Sequence, residues 1–233
     1  MAEISANGTT KVLVGEHYET ARAIISKYPN SRSAVLPLLF LVQGIEGHVT
    51  DGGMRDVASL LGLTPAEVLA SGSFYTMLKK KPTGEYLISV CRNVSCAHRG
   101  AYKVINALSR RLEVGPGETT EDGKFELETA ECLATCDGAP SIQINYEDFY
   151  NLTPEGAVEL VDRIERGETV TSERGEAVRT QRETSYETAV VGARLPGTAG
   201  DIEGRTVGGE SPREDMKVGD RPKLDPDEGS HGG

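Results

Sequence analysis

Four cysteines constrain this chain more than any other feature. They are its only cysteines, and they fall in two pairs: Cys91 with Cys96, and Cys132 with Cys136. Four residues separate the first two and three separate the second two, with 35 residues between the pairs. Each pair follows a segment that reads as a β-strand. Over 85–90, Tyr86, Ile88 and Val90 alternate with Leu87 and Ser89, and 124–128 follows the turn Glu121-Asp122-Gly123. Loops at strand ends hold side chains without a mobile lever arm, so a fold that pairs these strands would bring four sulfurs to one place.

What four sulfurs do depends on their surroundings. The N-terminus, MAEISANGTTKVLV, has neither a basic start nor a signal-like apolar run, so no export is expected. Thiols or metal ligands are then favoured over disulfides. A structural zinc site favours knuckles with two residues between ligands, and a redox dithiol wants Cys-x-x-Cys; neither spacing occurs here. Four thiolates from two loops suit two irons bridged by two sulfides, two ligands to each iron. On spacing alone a 2Fe–2S site leads, with zinc and four unrelated thiols behind it. Arg92 and Arg99 stand close enough in sequence to stabilise an anionic cluster, while His98 reads as an ordinary surface histidine rather than a ligand.

Two textures flank the cysteines. Residues 1–15 are small and polar, a flexible arm. Residues 16–82 read as a small helical bundle. Tyr18, Ala21, Ile24 and Ile25 give one apolar face, and Val35, Leu36, Leu39 and Val42 a second, over 31–43. Residues 44–53 read as a turn region, with Asp51 capping a third helix that Gly62 closes. Thr64-Pro65-Ala66-Glu67 is a capping box with proline at the first helical position, and Phe74, Tyr75 and Leu78 are expected as apolar contacts of the fourth helix. Lys79-Lys80-Lys81 reads first as a solvated loop and second as a docking patch for an acidic surface. Residues 83–170 hold the strands, a helix carrying Ala101, Val104, Ile105 and Leu108, a third strand over 141–146 and a last helix opened by Thr153-Pro154-Glu155. From Thr171 the periodicity stops, and 171–233 reads as an irregular tail, disordered or bound to a partner.

Composition narrows the function classes. Formal net charge is −11, which argues against a nucleic-acid partner. No run reaches the about 18 apolar residues of a membrane span. There is no GxGxxG after a strand, no Walker loop and no GxSxG, so no nucleotide pocket is expected in this chain.

Several segments resemble one family. They are Ser73-Phe74-Tyr75-Thr76-Met77, Lys81-Pro82-Thr83-Gly84-Glu85-Tyr86, the stretch from Val90-Cys91 to Cys96 with Arg99-Gly100, Gly117-Glu118-Thr119-Thr120-Glu121-Asp122-Gly123, the run from Glu131-Cys132 through Cys136-Asp137-Gly138-Ala139-Pro140, and Leu152-Thr153-Pro154. Together they are similar to the thioredoxin-like 2Fe–2S subunit, the E subunit, of respiratory NADH–quinone oxidoreductase (complex I); the likeness spans 28–167. It implies an α/β fold: an N-terminal helical bundle, a thioredoxin-like 2Fe–2S domain over 83–170, and a tail outside the likeness. It further implies that Cys91, Cys96, Cys132 and Cys136 bind one 2Fe–2S cluster, that FMN and NADH sit on a partner subunit, and that the chain joins other peripheral-arm subunits of complex I. The chain would then be cytoplasmic, peripheral on the inner face of a bacterial plasma membrane. Alanine stands at 134, where the family usually has glycine. Two alternatives remain: the homologous diaphorase subunit of an NAD-dependent hydrogenase or formate dehydrogenase, and a docking subunit stapled by a metal without a redox role.

Overall fold

The computed structural model describes residues 11–192. Four helices come first: α1 (Glu16–Ser26), α2 (Val35–Glu46), α3 (Asp51–Leu61) and α4 (Pro65–Phe74), with a 3-10 turn, Ser31–Ala34, before α2. The expected capping box forms. Thr64 Oγ1 accepts from the Glu67 amide at 3.3 Å, and Glu67 Oε2 accepts from the Thr64 amide at 2.9 Å. Thr50, not Asp51, caps α3: its hydroxyl accepts from the Gly53 amide, and Asp51 becomes the first helical residue. Gly62 closes α3 in the left-handed conformation at φ 66°.

Two further expectations for this half are corrected. Helix α2 runs through Gly44 to Glu46 instead of turning at Gly44. A later helix lies against that glycine, so the missing side chain is a requirement of close packing rather than of a turn. Phe74 is 80% exposed and Tyr75 40%, because α4 ends at Phe74 and turns both rings outward; of the three apolar residues, only Leu78 enters the core.

A five-stranded mixed sheet follows: β1 (Tyr86–Cys91), β2 (Glu118–Thr119), β3 (Phe125–Ala130), β4 (Ile142–Ile144) and β5 (Glu147–Phe149), in the order β2-β3-β1-β4-β5. Strands β1 and β3 are parallel, and all other pairs are antiparallel. Helices α5 (Val94–His98) and α6 (Ala101–Leu112) join β1 to the β2–β3 hairpin, and α7 (Pro154–Glu165) follows β5. The central strand β1 is buried along nearly its whole length, as a strand flanked on both edges should be. Ile88, Val90, Leu127 and Ile144 pack with Val104 and Leu108 of α6 and with Val161 and Ile164 of α7. The helical half has a separate core built on Leu38, Leu39, Leu41, Val42, Val57 and Val68. This is an α/β architecture of the expected thioredoxin-like kind. Strands β2 and β5 were not legible, being two and three residues long.

The irregular tail expected from Thr171 is also corrected for the residues described. Residues 170–178 make a small hairpin beside β5: Thr171 bridges to Ala177, the Glu173 amide donates to Asp148 O, and Arg174 pairs with the buried Asp148 at 2.8 Å. Helix α8 (Gln181–Val190) then packs along α2. Its start is a second capping box, Thr180 with Glu183. The helix is polar on most of its surface, so apolar periodicity could not reveal it; the cap signal, Thr-x-x-Glu, was in plain view. The flexible arm expected over 1–15 is corrected for 11–15, where Val12 and Leu13 are buried and their amides donate to Asp56 Oδ2 at 2.6 and 3.0 Å. Residues 1–10 of that arm and 193–233 of the tail lie outside the described residues.

Candidate functional site

The parallel β1–β3 pair brings the two cysteine-bearing loops to one edge of the sheet. Cys91, the last residue of β1, stands in register with Ala130, the last residue of β3. The ladder continues one step, with the Arg92 amide donating to Ala130 O at 2.9 Å. Parallel neighbours end at the same edge of a sheet, so the loops carrying the two cysteine pairs leave side by side. On the other flank, the Cys91 amide donates to Ser141 O at 3.2 Å, which sets the residues before β4 against the same edge.

The two pairs differ in environment. Cys91 and Cys96 are buried with Ala101 and Ala139, and Leu133 from the second loop packs against them. Helix α5 carries Cys96; the side chain of Asn93 caps its start, accepting from the Val94 amide at 2.7 Å. Burial pushes the Cys96 thiol up; hydrogen bonds from Ser141 oppose that rise, and the adjacent Cys91 thiol adds to it. Cys132 and Cys136 are exposed. All four are free thiols. Among the described residues, no three His, Cys, Asp or Glu side chains converge as a closed set of metal ligands. The fold thus brings the loops together, and places the first pair in contact, without gathering all four sulfurs to one point.

Donors are aimed at the sulfurs. The Ala134 amide donates to Cys132 Sγ at 3.3 Å. Ser141 Oγ lies 3.7 Å from Cys96 Sγ and 2.7 Å from Thr135 Oγ1, and both hydroxyl residues are buried. Thiolates from two adjacent loops, with amide and hydroxyl donors beside them, are a donor set that fits an anionic iron–sulfur group. Thr135 and Ser141 were not singled out from sequence, because nothing in a sequence marks a short hydroxyl as buried. Arg92 and Arg99 are occupied elsewhere: Arg92 pairs with Glu131, and Arg99 Nε donates to Ala139 O at 2.6 Å. His98 is exposed, as a surface histidine should be.

Two backbone positions shape the second loop. Ala134 holds φ 59°, a left-handed conformation that a side chain disfavours. Gly138 follows Cys136 in a 3-10 turn, where a Cβ would come within 2.4 Å of the Tyr150 ring, so only glycine fits.

The family model described as thioredoxin-like [2Fe-2S] ferredoxin matches residues 21–165. The E subunit of the NADH-quinone oxidoreductase of Mycobacterium tuberculosis is 48% identical over 165 residues, 71% of this chain and 66% of that one. NADH-quinone oxidoreductase subunit 2 of Thermus thermophilus is 39% identical over 138 residues, 58% of this chain and 76% of that one. Among solved structures, an NAD+-reducing [NiFe]-hydrogenase in the H2-reduced state aligns with a TM-score of 0.52 at 22% identity, over 57% of this chain and 22% of that chain, a likeness of fold alone. Among the described residues, no single helix is long and apolar enough to cross a membrane.

Proposed function

The chain belongs to the thioredoxin-like [2Fe-2S] ferredoxin family, and from that premise we propose that it is the 2Fe–2S electron-transfer subunit of an NADH–quinone oxidoreductase, holding one cluster through Cys91, Cys96, Cys132 and Cys136. The observation that carries the ligand assignment is the Cys91-to-Ala130 register, which delivers both cysteine loops to one sheet edge. The names of the relatives support the assembly.

A bound 2Fe–2S cluster supplies one-electron chemistry. The chain's own residues set its conditions. Cys91 and Cys96 would hold it from a buried strand end and helix, and Cys132 and Cys136 from a loop open to solvent. The Ala134 amide and the Ser141 hydroxyl stabilise negative charge on sulfur. FMN and NADH belong on a partner chain in this reading, and Cys132 and Cys136 would hold the solvent-exposed side of the cluster, where a partner could approach.

Electron paramagnetic resonance of the dithionite-reduced protein, with iron and sulfide analysis, tests the cluster. A reduced 2Fe–2S signal and about two irons per chain are expected. Zinc without iron would overturn the assignment and leave a metal-stapled docking subunit. Co-purification from native membranes tests the assembly. A flavoprotein together with membrane subunits is expected; a hydrogenase or formate dehydrogenase subunit in their place would assign the chain to that assembly instead.

A further inference from the structure

The two hydrophobic cores do not merge. Among the described residues, α1–α4 pack on one another and on α8, and none of them makes an extensive contact with a strand or with α5–α7. One segment contributes to both cores. Val170 and Val178 pack in the sheet core, and Tyr186 and Ala189 in the helical core. The segment is also hydrogen-bonded to both sides. Asn145 Nδ2 donates to Arg179 O at 2.7 Å and the Gln181 amide donates to Glu85 O at 2.9 Å on the sheet side. On the helical side, Gln43 Nε2 donates to Ser185 Oγ at 2.9 Å, Lys27 Nζ to Val190 O at 2.6 Å, and Arg182 to the carbonyls of Gly44 and Ile45. The segment itself lies beyond the stretch 21–165 matched by the family model, while its partners lie within it.

We propose that residues 170–190 form a releasable strap, the principal tie between the helical half and the sheet half that bears the cysteines. Its chemistry suits release. Helix α8 has ten residues, too few to persist alone in water. Two of its three buried residues, Gln181 and Ser185, are polar, and Ser185 meets the buried Gln43 side chain; Ala189 is the apolar one. The Gln181 Nε2 is buried without a partner, and a cavity of about 260 Å³ bordered by Phe40, Met77 and Tyr146 lies against the helix. With the strap off, the halves stay joined through the connecting residues 79–85 and the 3.2 Å Lys79–Glu128 ion pair. The inference rests on packing and stands whether or not the cluster reading does.

Gly44 offers the test. A Cβ there would lie 2.8 Å from the Tyr186 Cβ and backbone nitrogen, so Gly44→Leu evicts α8 while improving the helix propensity of α2. In the full-length, cluster-loaded wild type, amides of α8 are expected to exchange with deuterium before those of α2, α6 and β1. Exchange of α8 only on global unfolding would overturn release. In Gly44→Leu, exchange in α8 rises by at least about tenfold, trypsin cuts after Arg179, and calorimetry resolves two transitions where the wild type shows one. Unchanged α8 protection, or an exposed α8 with a single transition at the wild-type temperature, would overturn the tie. The surface pair Lys27→Ala with Arg182→Ala loosens the same helix without a steric clash and gives the same readouts if Gly44→Leu does not fold. The visible absorption of the cluster reports separately on the sheet half.

Discussion

Ser141 Oγ lies 3.7 Å from Cys96 Sγ, and Thr135 Oγ1 holds it from the other side at 2.7 Å. This buried pair spans the two cysteine loops: Thr135 stands between Cys132 and Cys136, and Ser141 sits beside Cys91 and Cys96. A donor to a ligand sulfur favours the reduced, more negative cluster. Ser141→Ala is therefore expected to lower the reduction potential by roughly tens of millivolts, and Ser141→Thr to restore most of it. A redox titration followed by electron paramagnetic resonance measures this. An unchanged potential in Ser141→Ala would show that the hydroxyl does not act on sulfur.

Ala134 carries a side chain at φ 59°. Glycine at this position removes the clash and costs some unfolded-state entropy, for a net gain of about 1 kcal/mol. Ala134→Gly should raise the urea midpoint of the metal-free chain. A lower midpoint would mean that the loop does not hold this conformation in solution.

The unequal burial of the cysteines predicts unequal reactivity. In the metal-free protein, iodoacetamide should label Cys132 and Cys136 well before Cys91 and Cys96, because access favours the exposed pair and burial also pushes the Cys96 thiol up. Peptide mass spectrometry reads the order. Cys132→Ser should reduce or abolish iron binding; full iron content would place a ligand elsewhere.

Asn145 is buried at φ 48° and satisfies three backbone groups at once. It accepts from the Leu87 amide and donates to the Glu85 and Arg179 carbonyls. Asn145→Ala leaves all three groups without this partner and should cost about 3 kcal/mol. Chemical denaturation of the full chain measures it, and a loss under about 0.5 kcal/mol would contradict this account.

The Thr64 backbone and side chain, with Arg32 at the surface, hold the Glu67 carboxyl below its ordinary range. A carboxylate with a lowered folded-state pKa stabilises the fold above its unfolded value, and the contribution vanishes as pH falls through the folded value. Glu67→Gln should therefore be less stable than wild type at neutral pH, and the difference should close in acid. A gap that persists at the lowest pH would point to packing instead.

How much of this could be read beforehand follows from what each feature depends on. The caps at Thr64 and Thr153 and the stop at Gly62 are local, so three or four residues suffice to specify them. The cysteine spacing was legible for the same reason. The pairing of β1 with β3, the outward turn of Phe74 and the docking of α8 on Gly44 depend on partners far away in sequence. Helix α8 is the clearest case: polarity made it look like a tail, and α2, apolar on most of its surface, gives it most of the surface on which it lies.

The register of β3 against β1 reaches beyond strand pairing. The distance between the two cysteine loops is set by one hydrogen-bonded rung, and not by the 35 residues between them. Slipping that rung by one residue would carry the second loop about 3.3 Å along the edge and turn Phe125 and Leu127 out of the core. The intervening stretch can therefore lengthen or shorten in the turns around 113–117 and 120–124 without altering the geometry of the four sulfurs. The hydrophobic core acts as the gauge that keeps it.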